Sequence, residues 1–234
     1  MNVIPQRVKD AGVALTAPLA RTLIQGGVHP NVITTVGTVI LLGSGVAFGI
    51  GEIRLGGVLL LVSGLFDILD GEVARHGGLV TAFGAFYDST LDRVGESAVF
   101  AGLAIYFLHG PLPTSLVAPA VGAAIAALAT SLLVSYARAR AEGVGVECRV
   151  GIAARAERVL LLGVPAIIFG GGSRADGVML FWIVVVLAFV SAVTVIQRIV
   201  HVARVARGAP RPPPLVPKRE TLPGVAAARR KGHS

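Results

Sequence analysis

Residues 66–93 read FDILDGEVARHGGLVTAFGAFYDSTLDR. Four aspartates fall inside or against sequence that is otherwise apolar enough for a membrane interior. Asp67 and Asp70 are spaced i, i+3, and Asp88 and Asp92 are spaced i, i+4. On helices, each pair shares one face, with Cβ atoms roughly 5–6 Å apart. A carboxylate at the bilayer centre costs on the order of 2.5–3.5 kcal/mol on insertion scales, and a like charge beside it adds to that. Cations would have to neutralise four such groups, and clustered carboxylate oxygens suit Mg²⁺, Mn²⁺ or Ca²⁺. Gly71 and Gly84 remove side chains beside the acids, so backbone or substrate can come close. Arg75 follows and can make bidentate contacts to phosphate.

Working outward, the chain of 234 residues is 54% hydrophobic and only 15% charged, with mean hydropathy +0.77. A soluble domain of this size needs more polar surface, so the composition is that of a membrane protein. The net charge is nevertheless +8 and the sequence pI about 10.7. In a membrane protein such a surplus marks cytoplasmic loops and contact with anionic lipid or phosphate. A nucleic-acid partner is not expected, because aromatics make up 6% and no basic-aromatic motif is present. The single cysteine, Cys148, excludes an intrachain disulfide and falls in a polar loop, where a free thiol without function is expected. The N-terminus predicts no secretory signal, since Arg7 and Lys9 precede Asp10, Gly12 and Pro18 rather than a clean apolar core.

The expected fold is all-α: six transmembrane helices plus an N-terminal amphipathic surface helix. Residues 1–29 form the surface segment, with Val8, Leu15, Leu19 and Leu23 on one face and Arg7, Lys9 and Arg21 elsewhere. His29-Pro30-Asn31 breaks it, and Asn31 is a plausible N-cap for the next helix. Residues 30–206 hold the six spans, placed at about 31–50, 55–76, 82–108, 115–136, 158–169 and 178–196. The last continues as a helix through Arg198 and Arg204. Gly45 and Gly49 in the first span, and Ala118, Gly122, Ala126 and Thr130 in the fourth, are small-residue stripes suited to close helix or subunit contact. The chain folds back at Gly77-Gly78, so the two acid pairs lie at one membrane face and can converge. From 207 onward a basic, Pro-rich stretch ending in Arg229, Arg230 and Lys231 reads as a disordered tail.

Loop charge predicts orientation. Arg7, Lys9, Arg21, Arg75, Arg93, Arg138, Arg140, Arg149, Arg155, Arg158, Arg198 and Arg204 fall on the side of the acids, against Arg54 and Arg174 on the other. The positive-inside rule places both termini and the aspartates on the cytoplasmic side of the cell membrane.

The pattern Asp67-x2-Asp70-Gly71-x2-Ala74-Arg75-x8-Gly84-x3-Asp88-x3-Asp92 resembles, without a mismatch, the signature of the CDP-alcohol phosphotransferases. Eight specified positions at fixed spacing weigh heavily against the plainer reading, helix-cap or interfacial acids between soluble helices. The resemblance implies a metal-dependent transferase of phospholipid biosynthesis, a homodimer, using Mg²⁺ or Mn²⁺ as two ions. It implies Asp67, Asp70 and Asp88 as metal ligands, and Asp92 as the catalytic base that also touches metal. Asn31 and Thr34 match a Pro-Asn-x-x-Thr element of the family; with Gly71, Ala74, Arg75 and Thr81 they would border the CDP-linked lipid donor.

Ser135-Tyr136-x-Arg138-Ala139-Arg140-Ala141-Glu142, Arg155-x-Glu157-Arg158 and Gln197-Arg198 resemble the branch that uses inositol 1-phosphate. By position, Ser135, Arg138, Arg158 and Arg198 would hold the phosphate of a small phosphorylated polyol. Ala154 and Ala156 depart from the Glu and Pro that this branch often has around Arg155. Glycerol 3-phosphate is the rival acceptor, since it too needs a phosphate pocket; free inositol, serine or a second lipid explain the arginines less well. An ion or proton transporter also carries intramembrane carboxylates, but near the midplane, on broken helices within repeats. Here the acids lie towards one face and no repeat is visible. Glu72 reads as a lipid-interface group or an outer partner of the site, Glu96 as a partner of Asp92 one turn deeper, Glu142 as a surface charge, and the five histidines as interfacial.

Overall fold

The computed structural model describes residues 6–152 and 154–206, with side chains from residue 16 onward. Among these the chain forms helices only: α1 (Gln6–Gln25), α2 (Pro30–Gly49), α3 (Ile53–His76), α4 (Ala82–His109), α5 (Thr114–Gly143), α6 (Arg155–Phe169) and α7 (Arg174–Ala206). The expected face of α1 is described only in part, because Arg7, Val8, Lys9 and Leu15 lie outside the described side chains, as does the whole tail from 207, with Arg229, Arg230 and Lys231.

Within α2 to α7, each helix packs against two others of the set, closing a ring in the order α2, α3, α6, α7, α5, α4. Successive helices alternate in direction. One end of the ring therefore gathers the starts of α2, α4 and α6 and the ends of α3, α5 and α7, where the acids lie. The body below is apolar, with Phe48, Leu103, Phe107, Val184 and Leu187 fully buried. Helices α2 and α4 touch through backbone: a Cβ at Gly102 would fall 2.0 Å from the Gly45 carbonyl oxygen, and one at Gly45 2.5 Å from that of Ala98. The small residues of α2 thus meet those of α4, as their spacing predicts. Gly78, at φ +66, makes the turn between α3 and α4, a conformation that costs glycine nothing.

Three of the helices, α2, α5 and α7, are long and apolar enough to cross a membrane. Helices α3 and α4 have the length, at 24 and 28 residues, but their acids and arginines lower their hydropathy. Helix α6 has 15 residues, or roughly 22 Å at 1.5 Å per residue, short of a hydrocarbon core of about 30 Å.

Several details differ from the sequence reading. The N-cap of α2 is His29, whose ring Nδ1 accepts from the Asn31 amide at 3.2 Å. Pro30 takes the first helical position, where its missing N–H costs nothing, which moves Asn31 into the first turn. Helix α1 docks on α3 through Ala20, Leu23 and Ile24, while Leu19 is exposed. Leu19 points away from the cluster that Ala20, Leu23 and Ile24 form with Leu69 and Val73 of α3. Helix α5 runs seven residues beyond Tyr136, joined there by an Arg138–Glu142 pair at 2.8 Å. The connection after it is not a polar loop throughout: Val146 and Cys148 are buried, and Arg198 and His201 of α7 hold its Val150 and Glu147 carbonyls.

Candidate active site

Helix α3 brings Asp67 and Asp70 in its last turns, and α4 brings Asp88 and Asp92 in its first. Carboxylate oxygens of Asp67, Asp70 and Asp88 lie within 4.8 Å of one another. Asp70 is buried and accepts a 2.6 Å hydrogen bond from the Thr34 hydroxyl of α2. Asp88 Oδ1 is buried without a hydrogen-bond partner. Three hard oxygen ligands, one with an uncommitted buried lone pair, are a donor set that can hold Mg²⁺ or Mn²⁺. Asp92 stands outside this triad and is ion-paired to Arg155 at 2.6 Å. Arg155 also pairs with Asp67, so its guanidinium lies between the two acid pairs.

On one side of the triad is a cavity of about 180 Å³ that Asn31, Thr34, Gly71, Ala74, Arg75 and Thr81 line together with Asp70 and Asp88. Thr81 caps α4 by accepting from the Gly84 amide at 2.9 Å. A Cβ on Gly84 would sit 3.0 Å from the Thr81 hydroxyl and 3.4 Å from Asn31 Oδ1, so glycine keeps this wall open. Glu72 is buried rather than lipid-facing, and holds Arg75 at 2.8 Å and His76 at 3.2 Å.

On the other side is a cavity of about 480 Å³ lined by Ser135, Arg138, Arg158 and Arg198, with Asp67, Asp88, Asp92 and Arg155 on its near wall. Its arginines are already anchored. Arg138 pairs with Glu142, an exposed charge as read, which also lines the cavity. Arg158 donates to Glu96 Oε1 at 2.6 Å. Arg198 donates to the Val134 carbonyl and, at 3.0 Å, to that of Val150. Glu96 engages Arg158 and Arg93, not Asp92.

The structure thus collects each group of residues singled out in the sequence around one cavity, with Asp88 common to both. Sequence reasoning missed Arg155 as a partner of the acids. The i, i+3 spacing of Arg155 and Arg158 at the start of α6 puts both on one face, but it does not say which acids that face meets.

A profile of the CDP-alcohol phosphatidyltransferase family matches residues 27–194, and the chain belongs to that family. It is therefore a membrane enzyme that transfers substituted phosphate groups. The chain is 38% identical over 203 residues to the phosphatidylinositol phosphate synthase of Mycobacteroides abscessus, covering 86% of this chain and 89% of that one. It is also 38% identical over 174 residues to the archaetidylinositol phosphate synthase of Methanothermobacter thermautotrophicus, covering 73% and 80%. Its fold matches a crystal structure of the Mycobacterium tuberculosis phosphatidylinositol phosphate synthase with CDP-DAG bound, at TM-score 0.70 and 33% identity over 81% of this chain and 94% of that one. The same enzyme in complex with manganese and citrate matches at TM-score 0.71 and 32% identity, over 80% and 88%.

Proposed function

We propose that this enzyme transfers the phosphatidyl group of CDP-diacylglycerol, or of an ether-linked counterpart, to inositol 1-phosphate, giving phosphatidylinositol phosphate and CMP. One observation carries the reading: an arginine-lined cavity and a second cavity bordered by Asn31, Arg75 and Thr81 meet at the acid cluster, with Asp88 in the wall of each. A phosphorylated acceptor needs the first, and a CDP-linked lipid the second.

Arg75, Asn31 and Thr81 border the cytidine diphosphate, and Arg138, Arg158, Arg198 and Ser135 hold the acceptor phosphate. Asp92 takes the proton of the acceptor hydroxyl. The acceptor oxygen then bonds to the lipid-side phosphorus as the bond from that phosphorus to the oxygen of CMP breaks, and CMP leaves. The residues' contribution is in-line positioning and charge stabilisation. Asp67, Asp70, Asp88 and Asp92 would hold two divalent ions, which would neutralise the pyrophosphate charge.

The same reading takes residues 30–206 as the catalytic domain, with α2 to α7 as six spans, α1 on the membrane surface, and a basic Pro-rich tail from 207. The positive end of the ring faces the cytoplasm, since the described Arg75, Arg93, Arg138, Arg140 and Arg158 sit there and Arg54 and Arg174 at the other end. A homodimer is part of it, and the exposed Ala118, Gly122 and Ala126 of α5 offer a flat face for helix contact.

The test is product identification. Purified protein receives CDP-diacylglycerol, Mg²⁺ and inositol 1-phosphate, and mass spectrometry follows the lipid. Phosphatidylinositol phosphate appearing with stoichiometric CMP is expected; a lipid product formed only from glycerol 3-phosphate, free inositol or serine overturns the acceptor assignment.

A further inference from the structure

Arg155 borders both the acid cluster and the arginine-lined cavity. One of its terminal nitrogens pairs with Asp92 and the other with Asp67, a member of the carboxylate triad. Its Nε is buried and has no hydrogen-bond partner. A buried guanidinium donor without an acceptor is costly, so the present contacts do not satisfy Arg155 fully. Two demands therefore meet at this side chain. A divalent cation at the triad needs the Asp67 carboxylate and repels a guanidinium beside it. A phosphate in the cavity offers several charged oxygens, which suit the planar fork of an arginine better than single carboxylate oxygens on two different helices.

We infer that Arg155 couples the two halves of the site: a phosphorylated acceptor draws Arg155 away from Asp67 and so tightens divalent-cation binding at the triad. By linkage the bound cation tightens acceptor binding by the same factor. This rests on the acceptor reading given above. Arg155 is then a positioning residue that makes cation and acceptor bind together rather than independently. The plainer alternative is a structural clip joining α6 to α3 and α4, and it predicts no coupling.

The experiment measures Mn²⁺ affinity by electron paramagnetic resonance, using the full chain in detergent with and without saturating inositol 1-phosphate. In the wild type the acceptor should lower the Mn²⁺ dissociation constant at least about fivefold, the low end of ordinary coupling between sites. Arg155→Ala should bind Mn²⁺ more tightly than wild type when no acceptor is present, and the acceptor should then shift its affinity less than about twofold. Arg155→Lys keeps the cation and should restore the shift in direction. Arg155→Gln carries the same test as Arg155→Ala should the shorter side chain cost the fold. A neutral variant that binds Mn²⁺ as the wild type does, or that keeps the full acceptor shift, overturns the inference. CMP release reads the acceptor assignment separately. Turnover with glycerol 3-phosphate alone would overturn the proposed function, while tighter Mn²⁺ binding in Arg155→Ala would still support the competition at Asp67.

Discussion

Replacing Thr34 by Val removes one hydroxyl and leaves the shape of the side chain nearly unchanged. That hydroxyl donates to Asp70 Oδ2 at 2.6 Å and lies 3.2 Å from the Pro30 carbonyl; having one proton, it serves chiefly the closer, charged acceptor. Thr34 is 8% exposed and Asp70 7%, so water does not readily replace the lost donor. A hydrogen bond to a charged group contributes about 1.5–3 kcal/mol. Losing a partner that orients a metal ligand typically weakens metal binding about 10- to 100-fold. At about 1.4 kcal/mol per tenfold that is roughly 1.4–2.8 kcal/mol, so the two routes agree. Thr34→Val should therefore raise the Mn²⁺ dissociation constant by one to two orders of magnitude. Thr34→Ser, which keeps the donor, should stay near wild type. Titration of Mn²⁺ by electron paramagnetic resonance reads both. Wild-type affinity in Thr34→Val would refute the claim that α2 holds Asp70 in place for a cation.

Other variants probe other parts of the site. Asp92→Asn should lower CMP release about 10²- to 10⁴-fold while CDP-diacylglycerol still binds; normal turnover would remove Asp92 as the base. Glu96→Gln loses the charge that holds Arg158 at 2.6 Å and Arg93 at 3.3 Å. Its acceptor KM should rise about tenfold, within the worth of one charged hydrogen bond, with donor KM unchanged; an unaltered acceptor KM would show that Arg158 does not depend on Glu96. Gly102→Ala places a methyl 2.0 Å from the Gly45 carbonyl oxygen, so α2 and α4 must separate. Overpacking of this kind costs about 1–3 kcal/mol, and a thermal midpoint in detergent equal to wild type would contradict the close contact.

Much of this arrangement was legible in the sequence because it depends on local periodicity. The acid pairs, the Gly77-Gly78 turn and the apolar runs place the end of α3 and the start of α4 at one face, and α4 begins at Ala82 as read, with Thr81 as its cap. The end of α5 was not legible: hydropathy stops at Tyr136, but Ala137 to Glu142 are good helix formers and carry the helix on in polar surroundings. Helix α2 starts one residue early because the choice between His29 and Asn31 as cap turns on the proline between them. Arg155 against Asp67 and Arg158 against Glu96 join residues far apart in sequence. Those pairs depend on how the start of α6 sits against α3 and α4, which neither charge pattern nor hydropathy encodes. The same holds for Cys148, buried in a loop whose Val150 carbonyl Arg198 of α7 holds.

The most direct test is a competition. Equal concentrations of inositol 1-phosphate and glycerol 3-phosphate enter one reaction with CDP-diacylglycerol and Mg²⁺, and the ratio of the two lipid products reports the ratio of kcat/KM. A large excess of phosphatidylinositol phosphate is the predicted result. Phosphatidylglycerophosphate in excess would leave the aspartates their role and contradict the assignment of Ser135, Arg138, Arg158 and Arg198 to an inositol phosphate.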